Sequence, residues 1–302
     1  MGYGRIPASQ GSSTAPGYYS SSSGYLMNQP GYSVTTAELK LSSNIGVNTV
    51  IRTYTGFQTA WTMVHDKDLD SNIYYRMPEG GTPKTLYKYE LAKGGTTVTQ
   101  TTVGTYGGAT TSVLGACYAP AFMWTGTAYG AFVIGGFSQA VVHILELNQA
   151  KTAITATYTA SIGSGEVYGT EMIPKQASGF TQHFAVFYTR NTSRVIGSFT
   201  VNMDTRSWTN LNQTQSYTPG TNGPSNGDGI LYYPPGKPIF TGDTDTSLNR
   251  IGMNDTSSAR LYVWTIAQSG NVLTFTWLKN VTLAQNGGLP YHMSVAAYNA
   301  IS

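Results

Sequence analysis

The sequence predicts an all-β fold, and this prediction depends on a repeat, on its period and on the lack of helical patterning. A six-residue phrase with apolar residues at its first, fourth and sixth positions occurs at Leu86–Leu91, Val142–Leu147, Ile196–Val201 and Leu261–Ile266. The four starts lie 56, 54 and 65 residues apart. No segment keeps apolar residues at helical spacing for three turns, whereas short period-two segments bounded by Gly, Asn, Ser and Pro are common. A repeat of this period in an all-β chain favours a β-propeller, in which four-stranded antiparallel blades follow one another around an axis.

Four complete blades can be placed along the chain, and the two chain ends supply a fifth. The complete blades are expected at 56–105, 112–160, 165–215 and 228–283. Residues 34–55 resemble the third and fourth strands of a blade, and residues 289–302 resemble the first and second. Pairing of the two ends would remove free sheet edges, which invite aggregation. The sequence therefore predicts a five-bladed β-propeller over 34–302, closed by its N- and C-terminal strands.

The fourth blade carries an insertion. Its second strand is expected near Pro238–Thr241, and a long connection, Gly242–Ser258, is expected to follow that strand. This connection accounts for the spacing of 65 residues between the last two copies of the phrase.

One hairpin resembles those of kelch-type propellers. Phe199–Leu211 reads as a hydrophobic strand, then Asp204 in a short polar turn, then Trp208. Trp277 is expected to play the role of Trp208 one blade later, and the double glycine typical of kelch blades occurs once, at Gly135-Gly136. The resemblance covers these hairpins alone and implies a propeller related to kelch proteins by shape, with no specific family identified.

Residues 1–33 differ in composition from the rest of the chain. They are rich in Gly, Ser and Pro, and their aliphatic content is too low for a core. We interpret them as an extended arm that lies across a neighbouring subunit, with a flexible tail as the alternative. The side chains expected to anchor the arm are Tyr3, Arg5, Tyr18, Tyr19, Tyr25 and Tyr32.

Composition limits the function classes. Only 10% of the 302 residues are charged, against about 25% in average domains, and the net charge is +3. There is no basic cluster for nucleic acid, no apolar run long enough for membrane insertion and no signal peptide in this chain. Cys117 is the only cysteine and is expected to be a buried thiol. A neutral polar surface without an export signal favours a virion or another extracellular assembly.

Aromatic residues are numerous in the expected inner strands. Tyr and Trp offer a flat apolar face and a hydrogen-bonding tip, which suit the stacking of sugars at the mouth of a channel. Packing between blades is the alternative role. The residues interpreted as candidate ligand-binding positions are Trp61, Tyr118, Trp124, Tyr168, Tyr233 and Tyr291.

The carboxylates of the inner strands do not match a glycosidase, which needs a raised-pKa acid and a second carboxylate about 5–10 Å away. Asp66 follows the first inner strand, and Glu166 and Glu171 flank or lie in the third. The second inner strand, Cys117–Trp124, contains no acid. The pattern expected of a five-bladed glycosidase, one carboxylate on each of three early blades, is therefore broken. No catalytic residue is predicted.

Oxygen-bearing side chains occur at every second residue in Asp66, Asp68 and Asp70, as they do in the first positions of a calcium-binding loop. The segment Asp243–Ser247 has the same spacing. Both loops lack the later glycine and glutamate of an EF-hand, so solvated hairpin loops are favoured. No cofactor is predicted, apart from calcium as the alternative at Asp66, Asp68 and Asp70. Sequons occur at Asn191, Asn212, Asn254 and Asn280 and matter only if the protein is exported.

These observations together predict a non-enzymatic structural or adsorption protein of a virion, such as a capsid, tail or host-attachment component, or of another extracellular assembly. Its partners would be other subunits of a symmetric assembly, with surface glycans as a further partner. The alternatives are a carbohydrate-binding, lectin-like propeller and, less favoured, a five-bladed glycoside hydrolase.

Overall fold

All the regular structure that can be described is β-structure. The computed structural model describes the backbone of residues 24–28, 37–42, 50–57, 64–66, 72–76, 83–92, 94–106, 113–120, 130–136, 140–148, 150–163, 165–174, 182–190, 193–202, 205, 207–226, 229–233, 235, 243–255, 257–282 and 293–297. Over these residues there are twenty strands and no helix, and the strands form five four-stranded sheets. The prediction of an all-β fold with antiparallel sheets is confirmed. No helix in this part of the chain could cross a membrane.

Four of the sheets take their strands in chain order. The first sheet contains β4 (Val64–His65), β5 (Ile73–Arg76), β6 (Lys84–Leu91) and β7 (Val98–Tyr106). The second contains β8 (Val113–Pro120), β9 (Gly130–Gly136), β10 (Val141–Leu147) and β11 (Ile154–Ser161). The third contains β12 (Glu166–Pro174), β13 (Gln182–Arg190), β14 (Val195–Asn202) and β15 (Ser207–Ser216). The fourth contains β16 (Ile230–Tyr233), β17 (Arg250–Asp255), β18 (Arg260–Ser269) and β19 (Val272–Thr282).

The fifth sheet is built from both ends of the described chain. It contains β1 (Gly24–Asn28), β2 (Ala37–Ser42), β3 (Val50–Phe57) and β20 (Met293–Ala297), in the order β20-β1-β2-β3. The sequence predicted two strands from each end, whereas the structure takes three from the N-terminal side and one from the C-terminal side. Tyr25, expected in the arm, lies in β1, which pairs with β20 on one side and with β2 on the other. The other arm residues, Tyr3, Arg5, Tyr18, Tyr19 and Tyr32, lie outside the described residues.

The repeated phrase falls in the third strand of each of the first four sheets. In β6, Leu86, Tyr89 and Leu91 are all buried, and in β14 the burial extends over the whole of Ile196–Val201. The apolar positions of the phrase are therefore packing positions inside the protein.

The insertion of the fourth sheet lies before its second strand. The prediction placed the second strand at Pro238–Thr241, but β17, Arg250–Asp255, pairs with both β16 and β18. All six of its residues are buried. The prediction was wrong because Gly, Asn and Asp are residue types common in turns, whereas here Gly252, Asn254 and Asp255 occupy a strand.

The third sheet packs closely against its neighbours. Its first strand, β12, lies against β8 of the second sheet and β16 of the fourth. Gly169 of β12 leaves no room for a side chain, since a Cβ atom there would lie 2.3 Å from the Tyr188 ring of β13 in the same sheet and 3.0 Å from Ile230 of the fourth sheet. A larger residue at position 169 would clash with both, so glycine is required here.

The kelch-like hairpin is present between β14 and β15. Trp208 packs edge-on against Phe199, with ring centroids 6.0 Å apart. Asp204 lies outside the described residues, and the turn is held by Asn202, whose Oδ1 accepts a hydrogen bond from the Thr205 backbone N–H at 3.1 Å. In the next sheet Trp277 is partly buried and contacts Trp264 at 5.7 Å.

Candidate functional site

A carboxylate and a phenol meet at the start of β12. The pairing of β12 with β13 slips between Val167 and Gly169, so Tyr168 lies in a β-bulge. A bulge redirects the side chain that it carries. The Tyr168 hydroxyl donates a hydrogen bond to Glu166 Oε2 at 2.7 Å.

A guanidinium group covers this pair. Arg190, the last residue of β13, is directly opposite Glu166 in the strand pairing. Its Cζ atom lies 3.6 Å from the centroid of the Tyr168 ring, and its Nη1 donates to Asn226 Oδ1 at 2.5 Å. Glu166 and Arg190 are half-buried, and Asn226 is exposed. We call these four residues, Glu166, Tyr168, Arg190 and Asn226, the Glu166 cluster.

The phenol of the Glu166 cluster keeps its proton at neutral pH. Burial raises the pKa of Tyr168; the hydrogen bond to Glu166 raises it further, and the Arg190 guanidinium opposes this only in part. Because the phenol stays protonated, it remains a hydrogen-bond donor that fixes the direction of the Glu166 carboxylate.

The Glu166 cluster contains two groups that hydrolytic sites use. A half-buried carboxylate can accept a proton from water, and a neighbouring guanidinium can stabilise negative charge that develops on an oxygen. Tyr168 is itself only 2% exposed. Its ring face is covered by Arg190, so stacking of a sugar on Tyr168 would require the guanidinium to move.

A second carboxylate holds the loop that carries Asn226. Asp255, at the end of β17, accepts hydrogen bonds from the backbone N–H groups of Ser225 at 3.0 Å and Asn226 at 3.2 Å. Ser257 adds its backbone N–H at 2.9 Å and its hydroxyl at 2.7 Å, and the Ser258 hydroxyl adds a bond of 3.0 Å. Asp255 therefore fixes the position of Asn226 beside Arg190.

Replacing Asp255 with asparagine is expected to lower the free energy of unfolding at neutral pH by about 2–3 kcal/mol, because an ionised acceptor of several bonds is lost. Burial alone would raise the pKa of Asp255, but the bonds from Ser257, Ser225 and Ser258 outweigh it and lower this pKa. A lowered folded-state pKa means that the stabilisation is present above the ordinary value of 3.8 and is lost as the pH falls through the lower folded-state value. Urea denaturation of the wild-type protein and of Asp255→Asn should show that the difference between their free energies of unfolding becomes smaller in acid. A difference that is unchanged or wider in acid would contradict this assignment.

The first predicted metal ligand, Asp66, joins two sheets. Its fully buried carboxylate accepts from Lys151 Nζ at 2.5 Å and from the Tyr75 hydroxyl at 3.2 Å. Lys151 comes from the turn between β10 and β11 of the second sheet, while Asp66 follows β4 of the first. Asp68 and Asp70 lie outside the described residues. Calcium would have to displace the Lys151 ammonium, and binding by Asp66, Asp68 and Asp70 stays a prediction.

The described residues include no group of three or more His, Cys, Asp or Glu side chains that could hold a metal ion. Of the other candidate ligand-binding residues, Tyr233 is buried at the end of β16, and Tyr118 lies in β8 opposite Phe132. Trp61, Trp124 and Tyr291 lie outside the described residues. Glycan binding by these aromatic residues stays a prediction, as do the protein partners and the extracellular location.

Sequence reasoning had noticed Glu166 and Tyr168 separately but missed Arg190, Asn226 and Asp255. Arg190 joins the cluster through the β12–β13 pairing, which the sequence does not reveal. Asp255 could have been found, because Asp followed two and three residues later by Ser257 and Ser258 is typical of a turn held by a side-chain oxygen.

Comparisons with known proteins give structural similarity alone. No protein family and no curated protein matches the sequence. A protein from Lactobacillus plantarum is similar over 91% of this chain and 99% of its own, with 8% identity and a TM-score of 0.43. The periplasmic gluconolactonase PpgL of Pseudomonas aeruginosa is similar over 88% and 70%, with 13% identity and a TM-score of 0.45. A Bacteroides fragilis protein described as a 6-phosphogluconolactonase is similar over 91% of this chain and 98% of its own, with 8% identity and a TM-score of 0.40.

These comparisons correct the predicted function. The solved structures reported above come from bacteria, and two of them are named as lactonases. The prediction of a non-enzymatic structural or adsorption protein of a virion, with capsid, tail or host-attachment roles, is wrong. That prediction took a neutral polar composition as a sign of assembly, but composition reports the chemistry of the surface and not its use.

Proposed function

We propose that this protein is a five-bladed β-propeller enzyme that hydrolyses a small polar ester, with Glu166 as the general base. The observation that carries the proposal is the hydrogen bond of 2.7 Å between Tyr168 and Glu166 beneath the Arg190 guanidinium. The names of the lactonases reported above supply sugar lactones as the first substrates to assay, while the argument comes from the geometry of this chain.

The five-bladed ring is supported by the order of the first strands. Besides β12 between β8 and β16, β20 lies against both β16 and β4, and β4 lies against β8. Each of the five sheets thus places one edge strand beside the equivalent strand of the next sheet. A ring of this kind leaves only short, protected sheet edges.

The proposed reaction uses three side chains of the Glu166 cluster. Glu166 takes a proton from a water molecule as the water oxygen forms a bond to the ester carbonyl carbon. Arg190 stabilises the negative charge that develops on the carbonyl oxygen. The ring C–O bond then breaks, and the proton held by Glu166 passes to the leaving alkoxide, so no cofactor is needed. Tyr168 orients Glu166 throughout.

The exchange of Glu166 for glutamine tests the proposal. Proton release during hydrolysis of a δ-lactone of a sugar acid, corrected for spontaneous hydrolysis, should give a kcat about 10²- to 10⁴-fold lower in the variant, because the general base is lost. KM should change little, since the amide keeps the shape of the side chain.

The control is the exchange Glu90→Gln, which should leave kcat unaltered because Glu90, with a side chain that is 46% exposed, pairs with Lys88 on another sheet. The proposal fails if the wild-type protein does not accelerate lactone or simple ester hydrolysis. It also fails if Glu166→Gln retains the full rate.

A further inference from the structure

We propose that Tyr217 is a positioning residue of the candidate site and holds the Arg190 guanidinium in place over Tyr168. Tyr217 follows β15 directly and lies outside the four residues of the Glu166 cluster. Its hydrogen bonds and packing join the hairpin that carries Arg190 to the segment that carries Asn226. The expected loss of rate rests on the proposed function, whereas the place of Arg190 can be measured without any reaction.

Tyr217 holds both sides of the hairpin between β13 and β14. Its hydroxyl donates a buried hydrogen bond of 2.6 Å to the carbonyl of Thr189, the residue directly before Arg190. Its backbone N–H donates to the carbonyl of Arg194, directly before β14, at 3.0 Å. The first bond fixes the peptide group that joins Thr189 to Arg190, and the second fixes the opposite side of the hairpin.

The phenol ring of Tyr217 is closely packed. Tyr217 is 5% exposed, and its ring lies edge-on against Tyr188 with ring centroids 6.3 Å apart. The backbone passes close to the ring at Gly223, where a Cβ atom would lie 2.1 Å from Tyr217. A ring enclosed in this way keeps its hydroxyl in place, so the bond to Thr189 comes from a fixed donor.

Other bonds of the hairpin set its shape. Thr189 Oγ1 donates to the Ser193 carbonyl at 2.8 Å and accepts a hydrogen bond from the Val195 backbone N–H at 3.3 Å. Because both bonds join residues of the same hairpin, they hold its two strands to each other. They do not determine where the hairpin lies relative to the rest of the site.

Tyr217 connects the hairpin to the segment that completes the site. It begins the segment 217–226, at whose other end Asn226 Oδ1 accepts a hydrogen bond from Arg190. That other end is also anchored by the carboxylate at the end of β17. Since both ends of the segment are attached, the Tyr217 hydroxyl sets where Arg190 lies relative to Asn226 and keeps the guanidinium over the Tyr168 ring.

The Tyr217 phenol keeps its proton at neutral pH and so remains a donor to Thr189. Burial raises the pKa of Tyr217, and the positive charges of Arg190 and Arg194 oppose this only in part. The charge of Arg190 therefore acts on the same phenol whose hydroxyl fixes the Arg190 backbone.

Kinetics of Tyr217→Phe test the positioning role, because phenylalanine keeps the ring and removes the hydroxyl. In the lactone assay kcat should fall about three- to ten-fold, the effect of one neutral hydrogen bond, with KM within about two-fold of the wild-type value. Arg190→Met alone should lower kcat about 10²- to 10³-fold. Adding Tyr217→Phe to Arg190→Met should lower kcat no further, because the hydroxyl acts through the guanidinium. Equal factors in the two backgrounds would show a purely structural role and overturn the inference.

The matched control is Tyr54→Phe. The Tyr54 hydroxyl also donates to a backbone carbonyl, that of Ala92 at 3.3 Å, and joins the fifth sheet to the chain that follows β6. Its loss should lower the midpoint of thermal unfolding by about 2–4 °C and leave kcat unaltered. If Tyr54→Phe lowers kcat as much as Tyr217→Phe does, reduced stability and not the place of Arg190 is the cause, and the inference is overturned.

Chemical modification of Arg190 measures its place without any reaction. Phenylglyoxal reacts with accessible guanidinium groups, and mass spectrometry of peptides reports each arginine separately. Modification of Arg190 should be about two- to five-fold faster in Tyr217→Phe than in the wild-type protein. Arg260, which is exposed on β18 of another sheet, should react at the same rate in both.

The two measurements separate this inference from the proposed function. An unchanged modification rate at Arg190 overturns the positioning role of Tyr217, whatever the kinetics show. If the wild-type protein hydrolyses no ester, the proposed function fails, and the modification rate alone decides whether Tyr217 holds Arg190 in place.

Discussion

Replacing Asp243 with alanine is expected to lower the free energy of unfolding by about 3–5 kcal/mol, measured by urea denaturation at neutral pH. Arg250 has no exposed side-chain surface and lies 2.6 Å from the Asp243 carboxylate. Removing the carboxylate would leave a guanidinium buried without its counter-charge. The energetic cost of an uncompensated buried charge exceeds the value of the pair itself.

Two controls separate this cause from a general loss of contacts. Asp245→Asn changes the same residue type in the same segment, but the Asp245 side chain is 28% exposed, so the loss should stay below about 1 kcal/mol. The double exchange Asp243→Leu with Arg250→Met removes both charges and should recover most of the stability lost by Asp243→Ala. If the double variant is as unstable as Asp243→Ala, the buried charge is not the cause.

Truncation of Trp264 to alanine is expected to cost about 3–5 kcal/mol of unfolding free energy. The side chain is 1% exposed and belongs to the core shared by the second, third and fourth sheets. Its ring packs edge-on against Trp277 at 5.7 Å, and its Nε1–H donates to the Asn222 carbonyl at 2.9 Å. Alanine would leave a cavity between the sheets and a carbonyl oxygen without a donor.

The phenylalanine variant divides this loss into its two parts. Trp264→Phe keeps an aromatic ring and loses the bond to Asn222, so about 1–3 kcal/mol is expected in the same urea experiment. Leu211→Ala, at a position that is 40% exposed, should change stability by no more than about 0.5 kcal/mol. Equal losses for Trp264→Phe and Trp264→Ala would show that the hydrogen bond, not the packing, dominates.

The sequence was informative where a pattern repeats and where chain neighbours interact. The phrase at Leu86–Leu91 and its three later copies identified the third strand of four sheets, because the same three apolar positions recur at the period of a blade. The sequence failed at β1 and β17. Gly24–Asn28 lies within the Gly-, Ser- and Pro-rich segment 1–33, and Arg250–Asp255 carries charged ends, so pairing partners from elsewhere in the chain decide both strands.

The residues of the candidate site likewise divide into those that the sequence indicates and those that only the packing of the sheets brings together. Glu166 and Tyr168 lie two residues apart and could be noticed as candidates, since Glu166 flanks one expected inner strand and Tyr168 lies in it. Arg190 is added by the strand pairing, and Asn226 by a loop that Asp255 holds from the next sheet. Contacts of this kind depend on how sheets pack, which propensity and periodicity along the chain do not encode.

The fifth sheet also has a consequence for the order of events during synthesis. β1 emerges from the ribosome early, whereas β20, its neighbour on one side, is among the last described residues to be made. Until then one side of β1 has no strand to pair with, and contacts so distant in sequence form slowly because a long loop must close first. One edge of β1 therefore stays unpaired while the other four sheets are translated. The time for which this edge is open to wrong pairing depends on how soon β20 is synthesised and docks.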